Sequence, residues 1–193
     1  MRLNTPNKLT VLRIVLSPLF LIVLIADFPH HLAPALLLFI AAALTDLFDG
    51  RVARSRGLVT DFGKFLDPIA DKLLTAAAYL GFIQMGFGTG VVFVTMIVLL
   101  REFLIASFRM AAADKGTVIA ANIYGKIKTV TQVVAIISVI FFEYLISLPF
   151  TPHFLAQPLR VAYSVFLWIS AAAALLSGVT YLFENRGFLK FDK

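Results

Sequence analysis

Long apolar runs follow one another along almost the whole 193-residue chain, with only short polar connections between them. They fall at about 9–25, 32–47, 65–85, 91–113, 127–146 and 159–183. Each is close to the roughly 20 apolar residues that a helix needs to cross a bilayer. In hydrocarbon every backbone N–H and C=O must find its partner within the segment, which a helix provides. The expected fold is therefore an all-α integral membrane protein with six transmembrane helices, one domain over 1–193 with no room for a separate soluble unit. Composition agrees: 60% of the residues are hydrophobic and 15% charged, where a water-soluble domain carries about a quarter charged. There are no cysteines, which excludes disulfides and thiolate-bound zinc. The first run lacks a small-residue cleavage site and reads as an uncleaved span.

The cations give the orientation. Arg2, Lys8 and Arg13 lie at the N-terminus, Arg51, Arg54, Arg56, Lys64 and Lys72 around the second connection, and Lys115, Lys126 and Lys128 around the fourth. Arg186, Lys190 and Lys193 lie at the C-terminus, whereas the opposite side holds Asp27, His30, His31, Glu143, His153 and only Arg160. By the positive-inside rule both termini face the cytoplasm, with the protein in the cell membrane. The net charge of +6 suits an anionic leaflet or substrate. Nucleic acid is a poor partner, because these cations sit at membrane depth with no soluble reading surface.

Asp46, Asp49, Asp67 and Asp71 stand out against this background. They fall at i, i+3 and at i, i+4, so each pair shares a helical face. Carboxylates at the edge of a membrane are costly unless they pair with cations or hold a metal. Hard oxygen ligands from two helices suit two Mg²⁺ or Mn²⁺ ions about 4 Å apart. The competing structural reading is an ionic network with Arg54 and Lys72.

The surrounding residues are more specific. The row reads D-x-x-D-G-x-x-A-R from Asp46 to Arg54, eight intervening residues, then G-x-x-x-D-x-x-x-D from Gly63 to Asp71. This resembles the signature of the CDP-alcohol phosphotransferase family of integral membrane enzymes, with all eight fixed positions present. The resemblance implies that Asp46, Asp49, Asp67 and Asp71 are metal ligands and that Asp71 is also the catalytic base. On the residues alone, Asp67 and Asp71 are interchangeable in that role. Gly50 and Ala53 keep the helix surface low where a nucleotide approaches, Gly63 lets the third helix start close to the second, and Arg54 suits bidentate phosphate contact. Thr60 completes the CDP-lipid contacts that the resemblance implies.

An acceptor must be held elsewhere. Arg109, Lys126 and Lys128 are expected to gather at the cytoplasmic membrane surface, where they suit an acceptor that carries its own phosphate. Snorkelling topology cations are the plainer alternative. The stretches TPNKLTVLR, REFLIASFR and YGKIKTVTQ resemble the bacterial phosphatidylglycerophosphate synthase branch of the family. That implies transfer of a phosphatidyl group from CDP-diacylglycerol to sn-glycerol 3-phosphate, with release of CMP, in a homodimer. Within the family, serine, inositol phosphate or phosphatidylglycerol are alternative acceptors. Outside it, a divalent-cation transporter is the rival, though such sites lie near the bilayer midplane and these aspartates lie at the ends of spans. Ala76–Ala78 and Ala171–Ala174 read as helix-packing surface, Arg101 and Glu102 as a pair within the bundle, and the three histidines as solvated interfacial residues.

Overall fold

The structure is a computed structural model that describes residues 5–56, 61–114 and 123–186; within these, the side chains of residues 5–9, 46–56, 61–65, 67, 68, 71 and 114 lie outside the description. Six helices follow in order: α1 Thr5–Ile25, α2 Leu32–Arg56, α3 Asp61–Met85, α4 Val91–Asp114, α5 Ile123–Ser147 and α6 His153–Glu184. Most outrun the apolar runs that mark them. α2 continues through its basic end to Arg56, and α5 begins at Ile123, so Lys126 and Lys128 are helical. Helical hydrogen bonds are local and can persist past an apolar boundary. Pro18 and Pro158 lie inside α1 and α6.

The helices close into a ring in which α1 neighbours α2, then come α5, α6, α4 and α3, which returns to α1. Across this ring α3 lightly touches α2 and α5. The interior is filled by Phe20, Phe39, Tyr79, Phe82 and Leu167, each at most 2% exposed. Between them the backbones approach over Ala78, Ala171 and Ala174, all fully or nearly fully buried. Small residues thus serve close helix packing, as the alanine stripes lead one to expect. A hydrogen bond of 3.1 Å between the Tyr79 and Ser170 hydroxyls ties α3 to α6 inside this core.

The outside is as apolar as the inside. Leu37, Phe93, Met96 and Phe154 are each more than two thirds exposed, a surface that water does not tolerate at this extent. Among the described residues three helices, over Val91–Ala113, Ile123–Ser147 and His153–Glu184, are long and apolar enough to cross a membrane. The described apolar parts of α1 and α2 are Thr10–Ile25 and Leu32–Thr45.

Opposite the signature end, the chain is pinned by polar contacts. Gly86, Gly88 and Gly90 all take positive φ, at 68°, 95° and 70°, which terminates α3 and turns the chain into α4. A Cβ at Gly88 would lie 2.5 Å from Leu167 Cδ1, so this turn needs glycine for space as well as for φ. Its Thr89 N–H donates to Ser164 Oγ at 3.1 Å, and Trp168 Nε1 donates to the Thr89 carbonyl at 3.0 Å.

Nearby, Glu143 of α5 is buried and accepts from Tyr163 Oη at 2.6 Å and from Arg160 Nε at 3.1 Å. Hydrogen bonds to a charged group contribute about 1.5–3 kcal/mol. Tyr163→Phe is therefore expected to destabilise the bundle by about that amount, read as a lower midpoint of thermal unfolding in detergent. An unchanged midpoint would remove this cluster as the clamp between α5 and α6.

Candidate active site

The two halves of the aspartate signature occupy the ends of α2 and α3 that flank the 57–60 connection. Asp46, Asp49, Gly50, Ala53 and Arg54 lie in the last turns of α2; Gly63, Asp67 and Asp71 lie in the first turns of α3. Their side chains, and Thr60 altogether, lie outside the described residues. Helical spacing nevertheless places the members of each aspartate pair on a shared face. α1 packs closely against both helices, whereas α2 and α3 touch only lightly. The signature ends therefore belong to two helices held by a third. The donor set fits a hard divalent ion, since it offers two carboxylates from each helix and no softer ligand. Among the described side chains no group of three or more His, Cys, Asp or Glu residues could hold a metal, and the four aspartates are not among those.

Immediately next to this segment lies a cavity of about 290 Å³. It reaches α2 at Leu44, two residues before Asp46, and α3 at Lys72, directly after Asp71. Its wall is mainly apolar, but Arg13 of α1, Lys72 of α3, Glu102 of α4, and Lys128 and Gln132 of α5 also line it. Arg13, Glu102, Lys128 and Gln132 are all buried. Buried charges persist only when they are paired. Here Lys128 Nζ is ion-paired with Glu102 Oε1, which also receives Arg101 Nη1 at 3.5 Å. Arg101 Nη2 in turn donates to Ser177 Oγ of α6 at 2.7 Å. The expected Arg101–Glu102 pair is thus present but is one part of a chain of contacts joining α5, α4 and α6.

The three expected acceptor cations have different surroundings. Lys128 lines the cavity, whereas Arg109 and Lys126 do not. Arg109 Nε donates to Tyr181 Oη at 3.1 Å, and its guanidinium carbon lies 5.3 Å from the centre of that ring. It stands seven residues beyond Glu102, about 10 Å further towards the end of α4. Lys126 is exposed on the first turn of α5. All three nevertheless lie at the end of the ring that carries the aspartate segment.

Comparison with known proteins now adds to the geometry. The family model described as CDP-alcohol phosphatidyltransferase matches residues 3–177. The chain belongs to that family. A CDP-diacylglycerol–glycerol-3-phosphate 3-phosphatidyltransferase of Bacillus subtilis is 38% identical, over 97% of this chain and 97% of its own length. A probable phosphatidylglycerophosphate synthase of Mycobacterium tuberculosis is also 38% identical, over 93% of this chain and 80% of its own. A relative from Escherichia coli with the same name as the first is 37% identical over 70% of this chain and 76% of its own.

Sequence reasoning missed two features of this family member's cavity. Glu102 read as a partner for its neighbour Arg101, although helix geometry turns adjacent residues about 100° apart; its close partner is Lys128 on another helix. Gln132 carried a visible signal in being the one amide side chain of α5, and the structure buries it at 3% exposure in the cavity wall.

Proposed function

We propose that the chain transfers the phosphatidyl group of CDP-diacylglycerol to sn-glycerol 3-phosphate, giving phosphatidylglycerophosphate and CMP. The observation that carries this reading is the nearly full-length likeness to a relative that bears the name of that activity. The complete eight-position signature beside a cation-lined cavity supports it. In this reading the single domain crosses the cell membrane six times, with both termini and the aspartates on the cytoplasmic side, in keeping with the cation distribution. The protein acts as a homodimer, which its mass in detergent checks.

Asp46, Asp49, Asp67 and Asp71 would hold Mg²⁺ or Mn²⁺, a two-ion centre that neutralises the pyrophosphate when bound. Gly50, Ala53 and Gly63 leave space for the CDP head, Arg54 forks onto a phosphate, and Thr60 offers a hydroxyl. Asp71 accepts the proton of the acceptor's primary hydroxyl. The freed oxygen forms a bond to the lipid-side phosphorus, the bond from that phosphorus to CMP breaks, and CMP leaves with the electron pair.

Arg109, Lys126 and Lys128 hold the acceptor's phosphate in this reading. Glu102 fixes the Lys128 ammonium at the cavity wall. Loss of one charge-assisted phosphate contact costs about 1.5–3 kcal/mol. Arg109→Ala, Lys126→Ala and Lys128→Ala are each expected to raise the glycerol 3-phosphate KM by ~10-fold or more, with little change in the donor KM. Lys128→Ala has the largest effect, because it also takes from the buried Glu102 carboxylate the nearer of its two cations. The deciding experiment is product analysis with labelled CDP-diacylglycerol and competing acceptors. Preference for serine, inositol phosphate or phosphatidylglycerol would refute the acceptor, and metal uptake into vesicles without transfer would favour a transporter.

A further inference from the structure

The wall of the cavity beside the aspartate segment contains a side-chain amide nitrogen that has no partner among the described residues. That atom, Gln132 Nε2, is buried and has no hydrogen-bond partner among the described residues, although its side chain lines the cavity. A buried amide donor without an acceptor is costly. It is therefore a place where a ligand oxygen is favoured.

The wall around Gln132 narrows the choice of ligand. At one edge of the cavity Leu44 of α2 and Val130 and Val134 of α5 are 46%, 62% and 45% exposed, so the cavity meets the apolar outer surface between these helices. Lys128 lies one turn, about 6 Å, nearer the basic end of α5 than Gln132, and Lys72 marks the side next to Asp71. Along α5 a cation thus precedes the neutral amide donor by one turn, and apolar side chains open to the membrane-facing surface flank the amide at Val130 and Val134. A diacyl phospholipid carries matching groups: phosphates, ester carbonyls one step further out, and acyl chains that leave sideways into the bilayer. A cation suits the first of these, whereas a neutral N–H can serve an uncharged carbonyl without burying a full charge in an apolar wall.

We propose that Gln132 donates its side-chain N–H to an ester carbonyl of the donor's diacylglycerol part, and so selects ester-linked over ether-linked lipid. The inference rests on the donor reading above but not on which alcohol accepts the phosphatidyl group. Gln132 is a positioning residue in this role: it sets how deep the lipid sits and thereby where its phosphates fall.

The test compares equilibrium binding, without acceptor, of diacyl and dialkyl-ether CDP-lipids of equal chain length to the wild type and to Gln132→Leu. The ether lipid lacks the carbonyl oxygens. The wild type is expected to bind the diacyl lipid about 5- to 10-fold more tightly than the ether lipid, in line with one buried hydrogen bond. In Gln132→Leu that ratio falls to about 1 through weaker diacyl binding alone, while the affinity for free CDP stays unchanged. Gln132→Glu, which turns the donor into an acceptor, weakens diacyl binding further. Equal losses for both lipids and for CDP would mean a structural role and overturn the proposal, as would a ratio that survives in the variant.

A second arm uses 1,3-propanediol phosphate, which lacks the middle hydroxyl of glycerol 3-phosphate. If Gln132→Leu abolishes the discrimination between these acceptors instead, the amide reads the acceptor and the proposal falls. Should the wild type bind the diacyl donor with the expected ratio yet fail to use glycerol 3-phosphate, Gln132's role stands and only the acceptor assignment is lost. Failure to bind either CDP-lipid would remove both.

Discussion

In excess chelator, transfer is expected to fall by ~10³-fold or more and to return when Mg²⁺ or Mn²⁺ is restored. Four carboxylates on the ends of α2 and α3 must share their space with a pyrophosphate that is itself anionic. Coulomb repulsion among these groups at a few ångströms is worth several kcal/mol even at an effective dielectric of about 20. Arg54 and Lys72 are close in sequence to the aspartates, but two side-chain cations balance only part of that charge. Divalent ions supply several kcal/mol of charge stabilisation without a proton equilibrium, and a loss of about 4 kcal/mol corresponds to ~10³ in rate. Binding should report the same dependence: CDP should raise the unfolding midpoint in detergent only when the divalent ion is present. Full turnover in chelator would leave the aspartates as a structural network with Arg54 and Lys72.

The sequence made the helices legible because their signal is long and repeated. Six apolar runs separated by glycine-rich or charged connections map onto six helices in the same order, and GFGTG ends α3 at Met85 as its composition implies. Helix ends were less visible, since the charged residues of α2 and α5 continue the same hydrogen-bonded backbone past the apolar boundary. The aspartate signature was legible for a different reason, that its spacing alone places its members on common helix faces. What could not be read was contact between distant helices. Lys128 looked like a surface cation, yet it is buried against Glu102, 26 positions earlier in the chain. The stacking of Arg109 on Tyr181 of α6 was not legible either. A lone polar residue in an apolar run announces a partner without identifying it, because the ring order of the helices decides which faces meet.

That ring order bears on substrate access. α2 and α5 are neighbours, and their shared surface at Leu44, Val130 and Val134 is exposed beside the cavity. The signature half on α2 therefore ends next to an apolar entrance, and the half on α3 lies across the same cavity at Lys72. A lipid entering sideways would meet the apolar wall first and the cations next. The water-soluble acceptor would come from the opposite, basic end, where Arg109 and Lys126 stand.

Asp71→Asn is expected to lower turnover by ~10² or more while donor binding remains. The two aspartates of α3 lie one turn apart on one face, so their substitutions differ in role more than in position. An amide keeps the size of the carboxylate and can still offer one oxygen to a cation, but it cannot accept a proton at neutral pH. Removing a general base acts on the transition state, so kcat and kcat/KM should fall together with little change in donor affinity. Asp49→Asn provides the contrast, because a residue that serves only as a ligand should weaken ion and donor binding along with rate. The measurement is kcat, donor KM and CDP affinity at several Mg²⁺ concentrations for the two variants and for Asp67→Asn. Rescue of Asp71→Asn by high Mg²⁺ would show that its defect is in ion binding and would pass the base to Asp67. Near-normal turnover in Asp71→Asn at ordinary Mg²⁺ would remove the assignment altogether. A deep loss that no Mg²⁺ concentration restores, with CDP still bound, is the outcome that the base role requires.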